Sequence, residues 1–407
     1  MTHQTPPRPT IQLFAPDRAR SAAERLGRAD YSYHFVMKYF LPVMRDLGPV
    51  EFVDQKDLAG SAADQFLFVP PHALPRHVGE RAVPVFAWEY DTIPTDEWRG
   101  DEYNDWRRAL AGTRAAITHS EYAQKALQRS LPADYPVWSI PAPLWDVYSP
   151  LRQGASSTSV RLSYSGWLLD SWQMGLSSDF RFDQPTFVTR DCDVELSGIV
   201  YTTVVNPDDG RKGWGETLSA FIYAFHDNSD ATLVIKVVHH DPVRAGHIIC
   251  DLLARAAPYA CRVVVIFGYL EDDHMRSLIR VSDFVVNSSR GEGQCLPLME
   301  FMSAGVPAIS PDHTAMAEYV DASNAFIVRS HRIRTHWPHD PRLIMRCFTY
   351  TIDWGSLRDG FVSSWQVVTT DSSGYQTMGE SASRALERYC SQAIARDRIT
   401  TVLEYLG

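Results

Sequence analysis

Short apolar runs recur through the first third of the chain, each separated from the next by a polar or helically patterned stretch. Residues 10–14, 50–53, 65–69, 83–87 and 115–118 read as buried strands. Between the first two, the apolar positions of residues 33–47 fall at helical spacing, and Ser120 stands where it can cap the helix after the fifth. Strand alternating with amphipathic helix predicts an α/β class built on a parallel sheet. The pattern loosens over residues 151–193, which hold a small polar tract from Gly154 to Ser159 and then Trp167 and Trp172. Regularity returns at Val194, with further strands at residues 231–238 and 262–270. The closing helix is expected over about residues 381–406. Four parts follow: residues 1–150, a linker or insertion at 151–193, a second half at 194–380, and the end at 381–407.

The most informative stretch is Ser289-Arg290-Gly291-Glu292-Gly293-Gln294-Cys295-Leu296-Pro297-Leu298-Met299-Glu300, in which two carboxylates lie eight residues apart across a glycine loop entering a short helix. Pro297 suits the first helical turn and Gly305 the residue past its end, which predicts a helix over about 297–304. Gly291 and Gly293 let backbone N–H groups approach a ligand, and the helix start attracts negative charge. A diphosphate fits there, with a carboxylate near enough to accept ribose hydroxyls. A surface loop and a core helix carrying two solvated glutamates would look the same.

Upstream, Val204-Val205-Asn206-Pro207-Asp208-Asp209-Gly210-Arg211-Lys212-Gly213-Trp214 runs from a strand through a basic loop into the helical pattern of Leu218, Phe221, Ile222 and Phe225. Lys236 interrupts an apolar strand near its C-terminal end, where open α/β sheets bind ligands. A lysine pointing out of a sheet edge fits equally well. Gly268 and Tyr269 end another strand at a turn, offering backbone contacts and an aromatic face, or simply a packed tyrosine.

Residues 287–320 resemble the E-x7-E donor site of family-four glycosyltransferases, which have the GT-B fold: two Rossmann-like domains facing each other across a cleft. The resemblance implies that Glu300 binds the nucleotide ribose and that Glu292 lies beside the donor sugar. It implies that Arg211 and Lys212 neutralise the donor diphosphate, although Asn206-Pro207 stands where the family carries an arginine. The turn at Gly268 and Tyr269 would meet the nucleobase, and Gln294, Cys295 and Leu296 would complete the donor-binding stretch. The second half would hold a nucleotide-diphosphate sugar and the first half the acceptor, with Glu89 and Asp91, after the strand 83–87, and Tyr31 and His34 as acceptor-side candidates. The last helix would cross back to the first domain.

What the resemblance implies is retaining transfer from GDP-mannose or a UDP-sugar to a glycan or lipid-linked glycan, in surface polysaccharide synthesis. Lys212, Arg211 and Glu292 are the catalytic candidates, stabilising charge on the departing diphosphate. A glycosidase-like double displacement needs two carboxyls about 5 Å apart around one anomeric carbon, whereas Glu292 and Glu300 are assigned to different parts of the donor. A nucleotide-sugar epimerase or hydrolase on the same fold, or a non-catalytic sugar-nucleotide-binding protein, remains open.

Composition narrows the partners. A formal charge of −10 over 407 residues argues against a nucleic-acid surface. Six cysteines lack zinc-type spacing and read as reduced packing residues, with no evident base to make Cys295 a nucleophile. Asp191-Cys192-Asp193 spells a D-x-D triplet of the kind an acidic chain contains by chance, so no metal and no cofactor beyond the donor substrate is expected. Residues 1–9 show no signal peptide, and no apolar window is long enough to cross a bilayer. A cytoplasmic protein is expected, with peripheral membrane contact open. The helix-like residues 98–110 would either touch headgroups or pack.

Overall fold

The computed structural model describes residues 10–16, 20–28, 31–152, 159–173 and 189–407. Six strands, β1 (Ile11–Phe14), β2 (Val50–Phe52), β3 (Asp64–Leu67), β4 (Ala82–Phe86), β5 (Ala116–Thr118) and β6 (Val137–Ser139), form one sheet in the order β2-β1-β3-β4-β5-β6. Every pairing in it is parallel. β4 is buried at every position, which is why it reads as a continuous apolar run rather than an alternating one, whereas β3, equally buried, opens on Asp64 and Gln65. The helix Tyr31–Leu47 buries Val36, Phe40, Val43 and Met44 in the adjoining core. Ser120 caps the helix Glu121–Gln128, its hydroxyl accepting the Ala123 N–H at 3.2 Å.

A second sheet has eight strands: β7 (Ser159–Asp170), β8 (Arg190–Ser197), β9 (Ile199–Val205), β10 (Ala231–Val237), β11 (Arg262–Phe267), β12 (Phe284–Val286), β13 (Ala308–Ser310) and β14 (Ala325–Ile327). Their order is β14-β13-β12-β9-β10-β11-β7-β8. β7 pairs antiparallel with β11 and β8 antiparallel with β7; the rest is parallel. Residues 151–193, expected as a linker, thus contribute an antiparallel edge to this sheet. Residues 153–158 and 174–188 of that segment lie outside the described residues, as do residues 1–9. An antiparallel hairpin, β15 (Ser330–His336) and β16 (Arg346–Ile352), follows.

Two local expectations change. The closing helix is two helices, Ser372–Cys390 and Gln392–Leu406, because Ser391 takes an extended ψ of 156° and its hydroxyl accepts the Ile394 N–H, starting a new helix. The second of these packs against the Tyr31–Leu47 helix, and Arg398 donates to the Ser139 carbonyl at 2.7 Å. Residues 98–110 hold a 3₁₀ turn at Glu102–Asn104 and a helix only from Trp106. Trp106 is 1% exposed, and Trp98 packs on Trp337 at 6.0 Å, so these aromatics are packing residues. Among the described residues no helix is long and apolar enough to cross a membrane.

Candidate functional site

In the second sheet the strand order reverses between β9 and β12, which lie side by side. Loops leaving the C-terminal ends of two such strands diverge and leave a crevice. The loop after β9 carries Arg211 and Lys212 in a 3₁₀ turn, Gly210–Lys212, held by Asp209, whose side chain accepts the Arg211 N–H. The loop after β12 carries residues 287–295 and enters the helix Leu296–Ser303. Gly213 is where the two loops touch: at φ 59° its Cβ would sit 2.4 Å from the Ser288 carbonyl oxygen. Ser288 Oγ also donates to the Gly213 carbonyl at 2.7 Å.

A cavity of about 640 Å³ opens between the two sheets and is lined from both. Lys212, Arg211, Glu292, Glu300, Gly293, Gln294, Cys295, Leu296, Lys236, Tyr269, Glu89 and Tyr31 all face it. Gly291, Gly268, Asp91 and His34 do not line it. Residues at 31 and 89 come from the first sheet's side and meet residues some two hundred positions later in the chain, which only the facing of the two domains permits.

The charges interlock. Lys212 Nζ donates to Glu292 Oε1 at 2.7 Å, and the Arg211 guanidinium lies 2.9 Å from Glu292 Oε2, 2.9 Å from Asp209 and 3.5 Å from Glu89. Burial alone would favour neutral Glu292, but the two cations outweigh it and hold the carboxyl down at about 2. Burial likewise works against the Lys212 and Arg211 charges, and Glu292 more than restores them. Glu89, partly buried, is shifted upward by desolvation despite Arg211. Both cations are therefore already matched by carboxylates, and an entering diphosphate would share them rather than find them bare.

Glu300 is in the opposite condition. It sits on the second turn of its helix, 8% exposed, and burial lifts its carboxyl to about 7. One hydroxyl partner reaches it: Tyr39 Oη donates to Oε1 at 2.9 Å, and Tyr148 Oη lies 2.7 Å from Tyr39 Oη. Tyr31 shares this neighbourhood, its hydroxyl influenced by Tyr269 and Glu300 after burial itself. Tyr31, an acceptor-side candidate, reaches the cavity from the first domain's helix.

Lys236 does not leave the sheet edge. β10 lies between β9 and β11, so its side chain is enclosed, and Nζ donates to the Val237 and Gly268 carbonyls at 3.0 and 2.6 Å. Burial lowers its ammonium to about 7. The Gly268 carbonyl, just past β11, thus ties that strand's end to β10.

The glycine loop serves the joint between domains more than open approach. A Cβ on Gly293 would meet Ala87 Cβ and the Trp88 nitrogen at 2.9 Å, and one on Gly291 would lie 3.3 Å from the Glu89 carbonyl. The Gly291 carbonyl accepts from Arg211, and the Glu292 N–H is donated to Thr314 Oγ1 at 3.0 Å. Asp91 is drawn away to the hairpin, accepting the Phe348 N–H at 2.8 Å and pairing with Arg332 at 3.1 Å. His34 instead packs edge-on against Phe35 at 5.5 Å. Asn206, where the family arginine was missing, lines the cavity while its side chain accepts the Asp208 N–H, and the Pro207 carbonyl receives Trp214 Nε1. Those two residues shape the turn that delivers Arg211.

Pro297 occupies the first helical turn, and Cys295 precedes the helix at φ 63°. All six cysteines are buried and free, and burial pushes the Cys295 thiol up to about 12, leaving no thiolate for nucleophilic work. Asp191 and Asp193 stand on the exposed face of β8, with Cys192 turned inward and Asp193 paired to Arg161 at 3.5 Å. Among the described residues no group of three or more His, Cys, Asp or Glu side chains is placed to hold a metal ion.

Residues 216–335 match the model of the family described as glycosyl transferases group 1, which bears out the resemblance read from residues 287–320. No curated protein matches the chain. Among solved structures, a glycosyltransferase from Rickettsia africae aligns at a TM-score of 0.57 and 11% identity, over 99% of both chains. Anabaena HepE in complex with UDP and glucose aligns at 0.56 and 13%, over 97% of this chain and 99% of HepE. S. aureus TarM in complex with fondaparinux, alpha-GlcNAc-glycerol and UDP aligns at 0.52 and 11%, over 86% of this chain. This chain spans only 57% of the TarM chain and 60% of pneumococcal GtfA. At such identities the likeness shows the fold, GT-B, with two mainly parallel sheets facing across a cleft.

Proposed function

We propose, for a chain whose residues 216–335 carry a glycosyl transferases group 1 segment, that it transfers a sugar from a nucleotide-diphosphate sugar to a hydroxyl acceptor. The observation that carries this reading is the convergence of Lys212, Glu292 and Glu300 on one cavity entered by the N-terminus of the helix Leu296–Ser303. Glu300 would accept ribose hydroxyls, Glu292 would border the sugar, and Lys212 and Arg211 would take the diphosphate. A UDP-sugar is the first donor to test, since UDP occupies the solved HepE and TarM, with GDP-mannose next.

In the reaction, bond breaking at the anomeric carbon leaves negative charge on the departing diphosphate. Lys212 and Arg211 stand preorganised and largely buried beside Glu292, where their stabilisation counts for more than in solution. Glu292 keeps both cations charged and oriented. Retention is the expected stereochemistry, assisted by the leaving phosphate rather than by an enzyme nucleophile, and the acceptor is a glycan or lipid-linked glycan of a surface polysaccharide. Residues 1–150 would form the acceptor-side domain and residues 194–380 the donor domain, with the closing segment from 381 lying across both.

Calorimetric titration with UDP, GDP and their sugars, followed by an acceptor panel, tests the reading. Donor binding with product formation supports it; donor hydrolysis or epimerisation alone would move the chain to another reaction on the same fold. No metal is assigned a role, so activity should persist in chelator. Loss in chelator with recovery on adding manganese would overturn that assignment.

A further inference from the structure

Lys38, Arg211, Lys212, Lys236 and Arg276 all line the cavity, and all but the last are already matched. Arg211 and Lys212 hold Glu292, Lys38 pairs with Asp272 across the cleft at 2.7 Å, and the Lys236 ammonium rests on two carbonyls. Arg276 is different. Among the described residues no carboxylate pairs with it, and no hydrogen bond or ring contact holds its guanidinium. Asp272, one helical turn earlier, is its natural partner at i, i+4, but Lys38 has taken that carboxylate. The side chain is partly buried and faces the cavity, so its five N–H donors are offered to whatever fills the space.

Diphosphate, ribose and base all carry acceptors, and place decides among them. Arg276 stands on the second turn of the helix Asp272–Val281, which follows β11 by way of Tyr269 and Leu270. In the sheet, β11 is separated from β9 by β10, which puts its end roughly 10 Å from the strand that delivers Arg211 and Lys212. The electrostatics agree. Burial raises the Tyr148 hydroxyl most, Arg276 pulls it back, and Tyr148 reaches Glu300 through Tyr39. The cations acting on Glu292 are Arg211 and Lys212. Arg276 thus belongs to the Glu300 end of the cavity. With the diphosphate at the basic loop and the ribose at Glu300, the group left for this end is the base, and Tyr269, Leu270 and Met275 supply the aromatic and apolar wall a flat ring needs.

Uracil and cytosine differ at one edge position, a carbonyl oxygen against an amino group, and guanine and adenine differ in the same way. A guanidinium donates to the carbonyl but meets the amino group donor to donor. We propose that Arg276 reads the base of the nucleotide sugar through its keto oxygen, taking uracil or guanine over cytosine or adenine. This deepens the nucleotide-sugar reading and rests on it. The side chain acts in recognition and forms or breaks no covalent bond.

Arg276→Met keeps an apolar stem and removes the donors, and since the fold bonds nothing to the guanidinium, its melting temperature should match that of wild type. Calorimetry with UDP, CDP, GDP and ADP gives, for each protein, the preference for UDP over CDP and for GDP over ADP, read in whichever pair binds. Wild type should show that preference. In Arg276→Met it should shrink by about 5- to 150-fold, through loss of affinity for the keto base while the amino base binds as before. Because each pair shares its ribose and diphosphate, the ratio is blind to contacts made elsewhere. A preference unchanged in Arg276→Met, a wild type that binds keto and amino bases alike, or an equal loss for all four nucleotides, which would mark a phosphate contact, would overturn the proposal while leaving the broader function standing. A wild-type protein that binds none of the four would sink both.

Discussion

Tyr39 Oη, on the first domain's helix, donates to Glu300 Oε1 on the second domain's helix at 2.9 Å. The bond closes the cleft over the carboxylate proposed to hold the ribose. It also offsets part of the desolvation that raises this carboxyl to about 7. A group whose pKa is higher folded than unfolded binds protons more tightly in the native state, so its contribution is fully present below about 4.5 and is lost as pH rises through about 7. Glu300→Gln keeps an oxygen for Tyr39 and removes the buried charge. The variant should therefore melt higher than wild type at about pH 8, with much less difference at about pH 5, while its affinity for a nucleotide falls. Equal shifts in melting temperature at both values would refute the linkage.

Lys212→Ala leaves Glu292 with Arg211 alone and removes a cation from the proposed diphosphate site. Turnover should fall by about 10²- to 10³-fold, the usual cost of removing a donor that stabilises developing charge. Some loss of stability should accompany it, about 1–3 kcal/mol from weakened pairing of a buried carboxylate. Steady-state kinetics beside denaturant unfolding tells the two apart. A variant that loses stability but keeps wild-type turnover would confine Lys212 to holding the loop.

Much of this site was legible beforehand for a physical reason: strand-loop-helix units leave local signatures, and the site is made mostly of their loops. Pro297 and the glycines around Glu292 mark a helix entry, and the basic loop follows an apolar run. What could not be read was anything decided across the cleft. Tyr39 and Tyr148 carry no motif; only their placement opposite Glu300 gives them roles. An aromatic series at Tyr31, Phe35 and Tyr39, spaced by four along one helix, was the available sign. β7 and β8 were missed because an antiparallel edge with one exposed face alternates polar and apolar residues, the burial of β8 running exposed, exposed, buried, exposed, buried.

Gly293→Ala tests the joint between the domains. The added methyl would meet Ala87 Cβ and the Trp88 backbone at 2.9 Å, and backbone cannot swing aside as a side-chain tip can. Overpacking of this kind costs about 1–3 kcal/mol or forces the surfaces apart. The melting temperature should drop, and donor affinity should drop with it, because the same loop carries Glu292. Wild-type behaviour in both measurements would mean that the domains do not close this tightly in solution.

Lys236 gives the last prediction. Its ammonium is depressed to about 7 because it is enclosed with only the Val237 and Gly268 carbonyls to satisfy it, so a large part of the population is neutral at about pH 7.5. A diphosphate arriving in the cavity that Lys236 lines would favour the charged form and raise that pKa. Binding must then draw a proton from solution, and affinity should weaken as pH rises above about 7. Titrations of a nucleoside diphosphate in two buffers of different ionisation enthalpy measure the uptake directly. Lys236→Met, of similar length and without the titrating group, should abolish that component and flatten the pH dependence. Unchanged proton uptake in the variant would show that Lys236 holds the β10 and β11 ends together without sensing the ligand.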